Sequence, residues 1–253
     1  MGCPRAFGSL GDAMAEMSAL VLDAIDVTRG RQTVLDHFSL KIPSGEFVAL
    51  VGPSGCGKTT LLHLIAGLLP ADGGTVRRHP PTSRIGMVFQ SPRLLPWRSV
   101  GDNLSLAAGP NLDWPYLREL LDQMGLENIE ALYPGQLSTG MQRRVALIRA
   151  LSVKPELLLL DEPLVSLDAP TARRLRHLLL EFWARQRATI LLVTHDLREA
   201  LTLADRLIFL APSPLRILAD LPVGIPRPER SLPRIDQRIA DISQQHPDLQ
   251  GLL

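Results

Sequence analysis

Apolar residues in this chain fall into short runs whose spacing changes along its length. At the N-terminal end, Leu20 to Leu22, Val34 and Leu35, Phe38 to Ile42 and Phe47 to Leu50 alternate with turn chemistry at Arg29-Gly30 and Pro43-Ser44-Gly45, which predicts short strands. The run Val48 to Val51 is followed by Leu61, Leu62, Leu64, Ile65 and Leu68 at helical spacing, so a buried strand passes through residues 52–60 into a helix. Ala71-Asp72-Gly73-Gly74 reads as a turn, with strands at Thr75 to Arg77 and Ile85 to Phe89, the latter ending on Gln90. From Ser91 to Asn128 the strand signal vanishes and helical patches take over, notably Leu117 to Met124. An inserted helical subdomain at about 91–155 is expected. Strands return at Leu157 to Leu160, Ile190 to Val193 and Leu207 to Leu210, each preceded by an amphipathic segment of helical length. This alternation predicts an α/β fold with a mostly parallel sheet covered on both faces. One domain over 18–221 is expected, with 1–17 a frayed leader or mis-assigned start. Residues 222–253, proline-rich to Pro233 and then polar, are expected to form a peripheral tail with little core of its own.

Composition narrows the class. The 27 basic and 26 acidic residues leave a formal charge of +1 without blocks of one sign, so neither a nucleic-acid footprint nor electrostatic membrane binding is indicated. No apolar stretch approaches the roughly 20 residues of a membrane span, and no secretory signal opens the chain. The two cysteines, Cys3 and Cys56, are too few for a disulfide scaffold. Met-Gly-Cys at the start suggests myristoylation, but Ala6 stands where that signal wants Ser or Thr.

The chemistry gathers at three strand ends. Gly52-Pro53-Ser54-Gly55-Cys56-Gly57-Lys58-Thr59-Thr60 joins the first buried strand to its helix. Its glycines let the backbone curl so that successive N–H groups and the helix end face an anion. Lys58 reaches β- and γ-phosphates in such a loop and the Thr59 hydroxyl binds Mg²⁺, making this a nucleoside triphosphate site. Cys56 reads as a small residue that fits. Asp161 and Glu162 end the run of four leucines, the place where ligands gather in open α/β sheets. Asp161 is assigned to Mg²⁺, directly or through water, and Glu162 to polarising the attacking water; paired acids at a strand end also serve as helix caps. His195, ending the next strand, is placed to contact the γ-phosphate and orient that water. No role is assigned to His37, His63, His79, His177 or His246.

With these residues in place, the chain resembles the ATP-binding subunit of an ABC transporter. In that family Gln90 falls at the glutamine loop, which senses Mg²⁺ beside the membrane partner, and Leu137-Ser138-Thr139-Gly140-Met141-Gln142 falls at the signature motif. Ser166-Leu167-Asp168 falls at the dimer-contacting D-loop and His195 at the switch histidine. The resemblance implies a P-loop NTPase (RecA-like) core with a small antiparallel β subdomain and an inserted helical subdomain. It also implies a head-to-tail pair, most simply a homodimer, with ATP between one subunit's phosphate loop and the other's signature motif. Ser138 and the N–H groups of Thr139 and Gly140 then meet the γ-phosphate from the far side. Two positions depart from the family. Thr139 stands where Gly is usual, and a β-branched residue forced to positive φ there costs about 1–3 kcal/mol. Arg29 stands where an adenine-stacking aromatic is usual, either stacking through its guanidinium or lying simply exposed.

The segment from Gln90-Ser91-Pro92-Arg93-Leu94-Leu95-Pro96-Trp97 to Asn103, with Ile217 to Leu221 and Ile225-Pro226-Arg227-Pro228, is similar to importers of the nitrate, sulfonate and taurine group. Importers of pyrimidine precursors and thiamine share much of it. The resemblance implies transmembrane permease subunits contacted through Leu94, Leu95 and Trp97, a solute-binding protein reached indirectly, and a peripheral position on the cytoplasmic face of the inner membrane. Two other readings stand beside it: a soluble ABC ATPase acting on DNA or ribosomes, which usually carries a coiled coil or two cassettes, and a weakly active regulatory subunit, suggested by Thr139 and Arg29.

Overall fold

The computed structural model describes residues 18–249 and 251, apart from 166 and 213. β1 (Ser18–Arg29) and β2 (Gln32–Pro43) form an antiparallel hairpin, and β4 (Gly73–Arg78) pairs on the other side of β1, giving the order β2-β1-β4. The sequence suggested short patches here, whereas the structure has two strands of 12 residues each. The difference has a local cause. Register shifts between Leu22 and Ile25 and between Ile25 and Val27 interrupt the pairing, Ala24 and His37 take φ of 47° and 49°, and such bulges break the two-residue alternation that marks a continuous strand.

The second sheet has the order β5-β6-β7-β3-β8-β9. β3 (Phe47–Val51), β5 (Ile85–Val88), β6 (Leu157–Asp161), β7 (Thr189–Thr194) and β8 (Arg206–Ala211) are parallel, and β9 (Arg216–Pro222) runs antiparallel along β8. Alternate residues of the strands serve opposite faces. Phe47, Ala49 and Val51, with Leu158, Leu160, Ile190, Leu192, Leu207 and Phe209, pack into one core. Val48 and Leu50, with Leu157, Leu159, Leu191, Val193, Ile208 and Leu210, pack into the other. β3 is buried along its whole length, as expected of a strand covered on both sides.

Each core has its own cover. The second is closed by the antiparallel sheet and by α1 (Lys58–Ile65). The first is closed by α2 (Val100–Ala108), α3 (Trp114–Gln123) and α4 (Thr139–Ser152), which fill the chain between β5 and β6, together with α5 (Ala169–Gln186), α6 (Leu197–Leu203) and α7 (Leu232–Gln245). α7 lies in the segment expected to be a peripheral tail. It sets Ile235 and Ile242 into the main core, and Leu249 follows them. Arg227 anchors the approach to this helix, its guanidinium lying 4.2 Å from the Trp183 ring centroid and 5.5 Å from that of Phe47. It also donates to the Leu203 carbonyl and to Asp205. No described helix is long and apolar enough to cross a membrane.

Candidate nucleotide site

The strands β3, β6 and β7 end side by side, and their C-terminal ends carry the predicted residues. Leaving β3, the chain turns through Gly52 to Gly57 into α1. A Cβ at Gly57 would sit 2.8 Å from Val34 Cγ1 and push that side chain aside, and its φ of 111° strains any L side chain there. A Cβ at Gly52 would meet the Leu210 carbonyl oxygen at 2.7 Å. Cys56 turns into the core under the loop, as a small residue that fits.

α1 opens with no side-chain acceptor on its first turn and no acidic residue there. By contrast α2, α3, α4, α5 and α6 are capped by Ser99, Asp113, Ser138, Asp168 and Asp196. The first-turn N–H groups of α1 face a cavity of about 280 Å³ lined by Ser54, Gly55, Gly57, Lys58, Thr59, Thr60, Gln90, Asp161, Glu162 and Val193. Uncapped N–H groups, a lysine and a helix N-terminus make that cavity receptive to phosphate oxygens. Lys58 Nζ donates to the Gly52 and Pro53 carbonyls at 2.7 Å each, which aims the ammonium across the loop.

On the opposite wall, Thr59 Oγ1 donates to Asp161 Oδ2 at 2.8 Å. Burial raises the Asp161 carboxyl above its ordinary value, against the Thr59 hydrogen bond, and the Glu162 charge raises it further. A hydroxyl, a carboxylate in need of a counter-charge and the Gln90 amide supply the hard oxygen donors that suit Mg²⁺. Glu162 is buried, with Oε1 at 3.2 Å from His195 Nδ1 and Oε2 accepting from Gln90 Nε2 at 3.4 Å. Its backbone N–H donates to Val193 O at 2.9 Å while its φ is 48°. Such a conformation costs a non-glycine residue about 1–3 kcal/mol and is characteristic of functional sites. Sequence reasoning had no signal for it.

The signature segment lies apart from this cavity. Ser138 caps α4, accepting from Met141 N at 3.3 Å, and Thr139 and Gly140 occupy the first helical positions. Thr139 borders a more open cavity of about 450 Å³ that also touches Thr59, Gln90 and Asp161. The strain expected at Thr139 does not arise, because the residue is helical and is absent from the positive-φ residues among those described. Arg29 is exposed at the end of β1 and does not line the phosphate cavity; burial, then the Arg93 charge and last that of Arg29, lowers the His63 imidazole. Asp168 caps α5 through Thr171 N at 2.7 Å, while Ser166 lies outside the described residues.

A family model described as ABC transporter matches residues 35–165, from β2 to beyond Glu162. The chain belongs to the ABC transporter family. An aliphatic sulfonates import ATP-binding protein of Burkholderia cenocepacia is 43% identical over 229 residues, covering 87% of this chain and 85% of that protein. A taurine import ATP-binding protein of Escherichia coli O157:H7 is 43% identical over 208 residues, covering 78% and 82% respectively. Among solved structures, this ABC family chain is similar to a dimeric ATP-binding cassette in a post-hydrolysis state bound to ADP and Pi. That match has a TM-score of 0.72 at 28% identity over 81% of this chain and 99% of the other.

Two further buried groups received no role of their own from the sequence. Asn103 is 2% exposed and bonds four times to the segment after Gln90, accepting from Leu95 N and donating to the Leu95, Arg98 and Ser99 carbonyls. Glu199 lies buried behind His195 and accepts from Thr194 Oγ1 at 2.7 Å.

Proposed function

We propose that this chain is the ATP-binding and ATP-hydrolysing subunit of an importer for sulfonates or taurine. The relatives' import of those solutes supports the solute class. The observation that carries the hydrolytic part is Glu162, held between His195 and Gln90 on the rim of the phosphate cavity. Loop N–H groups and Lys58 bind the ATP phosphates, and Thr59, Asp161 and Gln90 would hold Mg²⁺. When bound, the ion neutralises charge on the β- and γ-phosphates. Water attacks the γ-phosphorus in line, the bond to the bridging oxygen breaks, and the water's proton passes to Glu162 while His195 orients the nucleophile. The products are ADP and phosphate.

A second copy completes the site from its signature helix, with its Ser138 and Gly140 on the γ-phosphate, while Arg29 of the copy that supplies the phosphate loop stacks on adenine. Permease subunits dock at Leu94, Leu95 and Trp97, of which Trp97 is 70% exposed. A solute-binding protein acts through them, and the chain works at the cytoplasmic face of the inner membrane. Because Thr139 is helical, the weakly active reading loses its main support.

The test is light scattering of Glu162→Gln with and without Mg-ATP. A monomer-to-dimer shift is expected, and Ser138→Arg should abolish it. Undiminished ATP turnover by Glu162→Gln would reject the role given to the carboxylate.

A further inference from the structure

Gln90 acts on Glu162 from a segment without regular structure, so something must hold that segment. The residues after Gln90 run irregularly from Ser91 to Ser99. Asn103 holds the distal part, at Leu95, Arg98 and Ser99. The part next to Gln90 is held by one side chain from another element. Arg149, on α4, donates through Nη1 to the Arg93 carbonyl at 2.7 Å and through Nη2 to the Pro92 carbonyl at 3.0 Å.

The chemistry of this contact is unusual for an arginine. No carboxylate among the described residues forms an ion pair with Arg149, and burial alone pushes its guanidinium below the ordinary value. The guanidinium spends its fixed fork on two consecutive backbone carbonyls, a geometry that lysine cannot reproduce. The carbonyls belong to residues two and three after Gln90. Arg93 takes φ of 46° and turns its own guanidinium back over the Phe89 ring, 4.4 Å from the centroid, on the other side of Gln90. That ring also lies near His63 on α1, with centroids 5.9 Å apart. Gln90 is thus bracketed, by Phe89 in contact with His63 and Arg93 and by the Pro92-Arg93 backbone fastened to α4.

We propose that Arg149 is a positioning residue for hydrolysis: it fastens the Pro92 and Arg93 carbonyls to α4 and thereby sets the Gln90 amide against Glu162. Arg149 touches neither the phosphate cavity nor Glu162 and acts through Gln90 alone. α4 is also the helix that begins at Ser138, so the segment beside Gln90 and the signature residues share one rigid support.

The inference rests on the ATPase reading, and a double-mutant cycle on the full-length chain tests both. Steady-state Mg-ATP hydrolysis is measured for wild type, Arg149→Lys, Gln90→Ala and the double variant, with Arg149→Ala added if it folds. Arg149→Lys is expected to lower kcat about tenfold, with KM for ATP within about twofold because the phosphate loop is untouched. In the Gln90→Ala background the same change should lower kcat no further. A purely architectural role would make the two losses multiply, and that result overturns the proposal, as does an unchanged kcat in Arg149→Lys with a lowered melting temperature. Absence of hydrolysis by the wild-type chain would remove the ATPase reading and this one with it, whereas wild-type hydrolysis with multiplying losses removes this one alone.

Discussion

Glu199→Gln should abolish a pH dependence of stability that the wild-type fold carries next to the strand end at His195. Glu199 is 5% exposed, its Oε2 accepts from Thr194 Oγ1, and its Oε1 is buried without a partner. Burial pushes its carboxyl from 4.5 up to about 7, opposed by the Thr194 hydrogen bond, with Asp196 raising it and Arg176 and His195 lowering it. Because the folded value is the higher one, the native state keeps a proton that the unfolded chain releases. The contribution is therefore fully present below pH 4.5 and is lost as pH rises through about 7. At 1.36 kcal/mol for each pH unit between the two values, the loss between pH 4 and pH 8.5 is roughly 3 kcal/mol. Glutamine keeps the shape and the acceptor for Thr194 but does not titrate. Urea unfolding of both proteins at pH 4, 5.5, 7 and 8.5 yields the stability difference at each pH, in which all other titrations cancel. The variant should gain on the wild type by roughly 3 kcal/mol across the range, nearly all of it above pH 4.5. A difference constant to within about 0.5 kcal/mol would show that folding does not shift the Glu199 carboxyl, and the burial argument would fail.

Three further outcomes follow from particular geometries. Thr139→Gly should leave ATP turnover within about twofold while costing about 0.5–1 kcal/mol in thermal stability, since the residue is helical; a tenfold gain in turnover would mean the signature is strained after all. Glu162→Gly should be more stable than Glu162→Ala by about 1 kcal/mol in urea melts, because φ of 48° favours glycine, although both lose hydrolysis. Arg227→Ala should lower stability by about 2–3 kcal/mol through lost cation–π and hydrogen-bond contacts, with KM for ATP unchanged in a steady-state assay.

Much of this structure could be read from the chain because the reading used periodicity and strand ends. β3, β6, β7 and β8 are unbroken apolar runs, and the residues that terminate three of them, the phosphate loop, Asp161-Glu162 and His195, meet at one rim. What escaped did so for identifiable reasons. β9 is an edge strand with no fully buried residue, in which Arg216, Asp220 and Pro222 are exposed and the rest only partly buried, so it lacks the signal of a buried strand. α7 offers only Ile235 and Ile242 as fully buried positions, and its polar remainder reads as tail. The strain expected at Thr139 does not arise, because the residue is helical, and the positive φ at Glu162 has no counterpart in the residue pattern. The Arg149 clamp is illegible in principle, because its partners are backbone carbonyls 56 and 57 positions away and any residue type could supply them.

The central position of β3 has a consequence for how this protein is made. Phe47 pairs with Ile190, and Val48 with Arg206, so both neighbours of the strand that carries the phosphate loop are synthesised more than 140 positions after it. At elongation rates of about 5–20 residues per second the wait is about 7–30 s. During it, Val48 and Leu50 have nearby cover in the β1–β2 hairpin and α1, which pack on that face and are themselves local in sequence. Phe47, Ala49 and Val51 have none until the later helices emerge. The nascent chain therefore presents a half-dressed apolar strand to the cell at its most conspicuous point, and chaperone engagement is expected to concentrate there.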